Sequence, residues 1–113
     1  MAILGREREA GGLDVELEPE GERVLVRAWG ELDLSSAKEF EAKLREAIKG
    51  NPFGITLDLG GVTFIDSTGL RVLISAAMMS HASRRELIVL RASEQVRYVI
   101  EASGVEDLLP LAD

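Results

Sequence analysis

The segment ITLDLGGVTFIDSTGLRVL, residues 55–73, passes from the pattern of a strand to the pattern of a helix. Its first residues, 55–59, are mostly apolar and rich in strand formers, which is typical of a central strand buried on both faces. From Leu70 onward apolar residues recur at helical spacing, and the pattern ends near His81. The Gly-Gly pair at 60–61 predicts a tight turn after the strand. The segment therefore predicts a strand, a turn and a helix.

The residues before this segment predict a β-hairpin and a helix. Apolar and polar residues alternate over 13–17 and 24–29, on either side of a turn, as they do in half-buried strands. The second strand is expected to break at residues 30–34. An amphipathic helix follows, capped by Ser36 or the serine before it, and Ser36 with Glu39 fits a capping box.

The residues after the segment predict one more strand and one more helix. Residues 86–91 contain a short apolar run, and Ser93 is placed to cap the helix that follows. Residues 107–111 predict a closing strand or turn. This order of elements is typical of a mixed α/β domain of two layers. We expect residues 1–12 to form a flexible tail and residues 13–113 to form a single domain.

Composition limits the kind of protein this can be. The 113 residues have no cysteine, which excludes disulfides and thiolate metal sites, and the net charge of −7 disfavours direct binding to nucleic acid. The N-terminus lacks the apolar stretch of a signal peptide, and no run approaches the ~20 apolar residues of a membrane helix. We therefore predict a cytoplasmic protein with no membrane insertion.

Residues 66–69, Asp-Ser-Thr-Gly, are the most informative place for function, because a loop meets a helix N-terminus there. Free N–H groups and the helix dipole favour an anion at such an end. The simplest interpretation is that Asp66 and Ser67 cap the helix, the serine hydroxyl accepting a cap bond. A phosphoserine at Ser67 would add about −1.5 to −2 charges. Arg71, four residues later on the same helix face, could pair with that phosphate.

An enzymatic interpretation of Ser67 lacks a partner. The single histidine, His81, lies fourteen positions along the same predicted helix, which is about 21 Å at ~1.5 Å per residue. That separation is beyond the hydrogen-bond reach of a general base. The glycines at 60–61 are not followed by the Lys-Ser or Lys-Thr step of a phosphate-binding loop. We therefore predict that the chain is not an enzyme and has no cofactor and no metal site.

The segment 55–73 resembles the signature of STAS domains and, more narrowly, that of bacterial anti-sigma factor antagonists. Residues 24–37, with Gly-Glu-Leu-Asp at 30–33, resemble the first block of that family, and residues 93–109 resemble its C-terminal helix and exit. The similarity covers nearly the whole chain after about residue 13. It implies the STAS fold, a mixed sheet of four to five strands packed against three to four helices.

The resemblance also implies partner switching. The unphosphorylated antagonist binds an anti-sigma factor, often a serine kinase, and a sigma factor is freed. The kinase phosphorylates the antagonist and ends the interaction, and a phosphatase reverses this. Ser67 occupies the phosphoacceptor position, although the neighbouring Thr68 leaves a second hydroxyl to consider. The implied partner-binding residues are Asp33, Asp66, Ser67, Thr68, Gly69 and Arg71.

Two other functions stay open at this point. A STAS module can serve a lipid-transport or stress-signalling complex without sigma-factor control, and a serine hydrolase would use Ser67 as its nucleophile. Many family members have a glycine where this chain has Arg71. The partner surface of this chain is therefore predicted to differ from theirs.

Overall fold

The computed structural model describes residues 12–112, which form four strands and three helices. The elements in chain order are β1 (Leu13–Glu20), β2 (Arg23–Leu32), α1 (Leu34–Gly50), β3 (Gly54–Ile65), α2 (Ser67–Ala82), β4 (Glu86–Ala92) and α3 (Glu94–Ala102). The predicted tail, residues 1–12, lies outside the described residues except for Gly12. Within residues 12–112 no helix is long and apolar enough to cross a membrane.

The four strands make one mixed sheet in the order β1-β2-β3-β4. β1 and β2 form the predicted antiparallel hairpin, while β3 pairs in parallel with β2 on one side and with β4 on the other. The parallel pairs require helical crossovers, which α1 and α2 supply. The mixed α/β architecture and the central position of the segment's strand are confirmed. The closing residues contribute one bridge, from Leu111 to Val89, rather than a full strand.

One continuous apolar core lies between the sheet and the helices. Alternate residues of β2 and β3 point into it, and α1 and α2 each contribute one apolar face. Fully burying a leucine, isoleucine or phenylalanine side chain contributes about 1.5–3 kcal/mol, so this core is a main source of stability. The largest fully buried side chains include Phe40, Leu32, Leu44, Ile48, Ile55, Leu57, Leu59 and Leu73.

The two strands that lead to helices α1 and α2 are longer than predicted. β2 continues through Gly30 to Leu32 instead of breaking at residues 30–34, and β3 continues past residue 59 to Ile65. The reason is their mutual pairing, which holds Leu32 opposite Ile65. Tertiary hydrogen bonding therefore overrides the local signal of the glycines.

The Gly60-Gly61 pair forms part of β3 and does not make the predicted tight turn. The register with β2 shifts here, as in a β-bulge. A Cβ at position 61 would lie 2.6 Å from Cδ1 of Trp29, so a glycine is needed for this ring to pack on the strand. Asp58 holds the irregular segment by accepting a hydrogen bond from Gly60 N at 3.1 Å and pairing with Arg91 at 2.8 Å.

Candidate functional site

The helices α1 and α2 begin side by side at one edge of the sheet. β2 and β3 are parallel, and their last residues, Leu32 and Ile65, are paired. The next residue of each chain segment, Asp33 and Asp66, is the N-cap of the helix that follows. A hydrogen bond from Asp66 N to Leu32 O, 3.3 Å long, ties the two segments together. The site is therefore built by the register of two neighbouring parallel strands.

Asp66, and not Ser67, caps α2. Its Oδ1 accepts from Gly69 N at 2.9 Å, and its carbonyl accepts from Leu70 N at 3.0 Å. Ser67 is the first helical residue and is exposed, and its hydroxyl makes no hydrogen bond within residues 12–112. The expectation that this hydroxyl accepts a cap bond is wrong, because the carboxylate before it already satisfies the helix end. The Ser67 hydroxyl is consequently accessible and has no hydrogen-bond partner in the described part of the chain.

The N-terminus of α1 is capped by Asp33, so the expected serine cap is wrong. Asp33 Oδ1 accepts from Ser35 N at 3.0 Å and from Ser35 Oγ at 2.7 Å. The capping box joins Asp33 to Ser36, whose Oγ accepts from Asp33 N at 3.1 Å, and Glu39 is not part of it. The cap lies earlier than predicted because β2 runs to Leu32, which leaves Asp33 as the residue that starts the helix.

Gly69 lets α2 approach the sheet closely. It is buried in the first turn of the helix, where an added Cβ would lie 2.4 Å from Leu32 O and 2.8 Å from Leu32 Cγ. The third atom in its way would be Cγ1 of Ile65, at 3.0 Å. Gly69 therefore acts as a spacer that lets the start of α2, which carries Ser67, lie close to the sheet. Because it is buried, it is not itself a surface contact.

A groove of about 310 Å³ separates the first turns of the two helices. Arg71 and Thr68 line it from α2, next to Ser67 in the chain. The residues that line the groove from α1 were not identified from the sequence. Their three- and four-residue spacing, which places them on one helix face, was the available signal. The groove is lined by Leu34, Ala37, Lys38, Glu41, Thr68, Arg71 and Val72.

The six residues that the resemblance implied as a partner surface thus meet at one edge. Five belong to the cap and first turns of α2, and Asp33 caps the neighbouring start of α1. His81 lies in the last turn of the same continuous helix as Ser67, so it is not positioned as a base for that hydroxyl. Among residues 12–112, no group of three His, Asp or Glu side chains could hold a metal ion.

Comparison with known protein families identifies the family to which the chain belongs. The family model described as "Mlab, STAS domain" matches residues 15–110. The chain belongs to the STAS domain family. Among curated STAS relatives, the putative anti-sigma factor antagonist BtrV of Bordetella bronchiseptica is 31% identical over 84 residues, covering 74% of this chain and 72% of that protein. The anti-sigma-B factor antagonist of Staphylococcus aureus is 27% identical over 97 residues, covering 86% and 90%.

Solved structures agree with this family. The anti-sigma factor antagonist SpoIIAA in its unphosphorylated form matches with a TM-score of 0.73 and 28% identity, over 88% of this chain and 89% of that one. The phosphorylated form of Bacillus SpoIIAA matches with a TM-score of 0.70 and 27% identity, over 88% and 92%. The predicted STAS fold is therefore confirmed. The names of these relatives describe antagonism of another protein, a binding activity, and this STAS chain is a regulatory binding protein rather than an enzyme.

Proposed function

We propose that this STAS protein is an anti-sigma factor antagonist that binds an anti-sigma factor and is switched off by phosphorylation of Ser67. The observation that carries the proposal is the exposed Ser67 hydroxyl, which has no hydrogen bond within residues 12–112 and stands at the first position of α2. The proposed contact surface is the edge around it, made of Asp33, Asp66, Ser67, Thr68 and Arg71, with Gly69 buried beneath them as the spacer that positions them.

Charge explains why phosphorylation would act as a switch. A phosphate adds about −1.5 to −2 charges at pH 7. The N-terminus of α2 tolerates this charge because its dipole is positive there. A partner that approaches the same edge must desolvate the phosphate or meet its repulsion, which weakens binding. SpoIIAA, a relative of this chain, is known in both an unphosphorylated and a phosphorylated form, which supports the same chemistry here.

The proposal favours Ser67 over Thr68 as the acceptor. Ser67 is exposed, whereas Thr68 is half-buried and lines the groove between the helices. A kinase must reach around the acceptor oxygen, and the exposed side chain offers that access. In the full cycle, an anti-sigma factor that is also a serine kinase modifies Ser67, and a phosphatase restores the binding form. We propose that this cycle takes place in the cytoplasm. We also propose that residues 13–113 form a single domain.

The test combines labelling and binding. The chain is incubated with candidate anti-sigma kinases and ATP, and its affinity for the anti-sigma factor is measured by calorimetry. Ser67→Ala should take up no label and bind as the wild type does, while Ser67→Asp should bind at least about tenfold more weakly. Ser35→Ala, at the start of the neighbouring helix, is the matched control and should be labelled normally. Equal labelling of Ser67→Ala, or unchanged binding of Ser67→Asp, would overturn the proposal.

A second candidate function has one observation in its favour. The matching family model is named for Mlab rather than for an anti-sigma factor antagonist. The second candidate is therefore the alternative that the sequence left open, a STAS binding module in a lipid-transport or stress-signalling complex without sigma-factor control. Purification of the chain from its own cells separates the two functions. An ATPase–permease complex would support the second, and a kinase-like anti-sigma protein would support the first.

A further inference from the structure

The groove between α1 and α2 has an apolar base and an apolar mouth. Ala37 and Val72 are each 5% exposed and belong to the core, so they close its floor. Leu34, the first residue of α1, is 76% exposed and stands at the opening. A single exposed leucine is ordinary on a protein surface, but here it extends the apolar floor of the groove to its mouth.

The charged side chains of the groove leave a positive excess. Lys38 and Arg71 are exposed on its two sides, and neither forms an ion pair or side-chain hydrogen bond with any residue in 12–112. The one carboxylate that lines the groove among the described residues, Glu41, already faces Arg45 at 3.6 Å and accepts from Ser75 Oγ at 3.3 Å. Two cations that have no ion-pair partner among residues 12–112 therefore flank an apolar floor, in a chain whose net charge is −7.

We propose that this groove docks a segment of a partner protein that presents carboxylates beside apolar side chains. The apolar side chain would cover the floor next to Leu34, and the carboxylates would pair with Lys38 and Arg71. Naming the anti-sigma factor as the protein that carries this segment rests on the proposed function, while the groove's preference for acidic, apolar peptide does not. Lys38 and Arg71 are then residues that determine partner specificity.

The groove also gives the switch a more specific mechanism. Ser67 and Arg71 are four residues apart on one helix face, which is the spacing at which side chains pair along a helix. A phosphate on Ser67 would compete with the partner's carboxylate for Arg71 and lower the positive charge of the groove. Phosphorylation would thus remove an attraction as well as add a repulsion.

The experiment titrates the full chain, labelled with ¹⁵N, with three synthetic peptides and follows its amide signals by NMR. The first peptide contains glutamate and leucine at helical spacing, and the other two carry lysine or glutamine in place of every glutamate. The glutamate peptide should shift the signals of Lys38, Thr68, Arg71 and Val72, and added salt should weaken its binding. The glutamine peptide should bind more weakly and the lysine peptide should leave these signals unchanged.

Charge-reversal variants test the two cations separately. Arg71→Glu and Lys38→Glu should each weaken the glutamate peptide about fivefold, as expected for exposed ion pairs. Lys49→Glu changes the net charge equally but lies at the far end of α1, so it should have little effect. Ser67→Asp alone should weaken binding of the glutamate peptide. Added to Arg71→Glu, it should weaken binding less, because both changes act on one interaction. The NMR spectrum itself verifies that each variant is folded.

Three results would overturn the inference. These are shifts that fall outside the groove or fail to occur, equal binding of the lysine peptide, and equal weakening by Lys49→Glu and Arg71→Glu. None of the titrations uses an anti-sigma factor or a kinase. If the chain binds the glutamate peptide in its groove but binds no anti-sigma factor, this inference stands and the proposed function is wrong. If the chain binds an anti-sigma factor but not the glutamate peptide, the proposed function stands and this inference is wrong.

Discussion

The starts of α1 and α2 have the same design but use their hydroxyl groups differently. Each follows the last residue of a parallel strand, and each is capped by an aspartate, Asp33 or Asp66. At α1, the hydroxyls of Ser35 and Ser36 are both engaged in hydrogen bonds around Asp33. At α2, the Ser67 hydroxyl has no such bond within residues 12–112. The hydroxyls at the start of α1 therefore serve the helix cap, while the exposed hydroxyl at the start of α2 is accessible to a modifying enzyme.

The third helical position shows the same contrast. At α1 it is Ser36, which closes the capping box and also donates to Glu31 O at 2.8 Å. At α2 it is Gly69, which has no side chain and lies against Leu32. A serine at this place in α2 would meet the backbone of β2. Close packing against the sheet therefore excludes a capping box at α2, so Asp66 carries the cap without help from a third-position side chain.

The largest effect is expected from Gly69→Ala, which forces a Cβ to within 2.4 Å of Leu32 O unless the helix moves. Overpacking of this kind costs about 1–3 kcal/mol of the free energy of unfolding. Gly50→Ala is the matched control, because nothing lies within 4 Å of its added Cβ, and it should be neutral or slightly stabilising. Urea unfolding measures both variants. Equal midpoints for the two would show that α2 does not need its close approach.

The next effect concerns the two caps. Asp33→Ala and Asp66→Ala should each cost about 1 kcal/mol, because each leaves a helix N-terminus without its side-chain acceptor. Asp33→Ala should cost more, since it also breaks the capping box with Ser36. Asp33→Asn and Asp66→Asn keep an oxygen acceptor and should be nearly neutral in thermal unfolding. A larger loss for Asp66→Ala than for Asp33→Ala would contradict the assignment of the box to α1.

The smallest effects compare the serines directly. Ser36→Ala removes an oxygen that accepts from Asp33 N and should cost about 0.5–1.5 kcal/mol. Ser67→Ala removes a hydroxyl without a hydrogen bond within residues 12–112, so the free energy of unfolding should change by less than about 0.5 kcal/mol. Chemical denaturation of both variants in the same buffer measures the two free energies of unfolding. A substantial loss for Ser67→Ala would mean that its hydroxyl is part of the cap after all.

Local pattern predicted much of this fold, and packing between distant segments explains the rest. The alternation of β1 and β2, the apolar strand of residues 55–59 and the helical spacing after Leu70 all correspond to real elements. The glycines were misleading, because a bulge under Trp29 looks like a turn until the neighbouring strand is known. The shift of the α1 cap from the serines to Asp33 has the same cause, since pairing with β3 prolongs β2.

The site was predictable only in part. Residues 66–71 follow one another in the chain, so a motif could identify them together. Leu34 and Lys38 reach the same place only because α1 and α2 start from paired strands, a relation that no local pattern contains. The role of Gly69 as a spacer also depends on the position of Leu32, far away in sequence.

The most direct test of this account is to map the phosphate on the chain after treatment with an anti-sigma kinase and ATP. Mass spectrometry of the digested protein separates Ser67 from Thr68 and from the two serines at the start of α1. We predict one phosphate, on Ser67, and none on Ser35, Ser36 or Thr68. A phosphate on Thr68 or on either α1 serine, with Ser67 unmodified, would overturn the assignment of Ser67 as the acceptor.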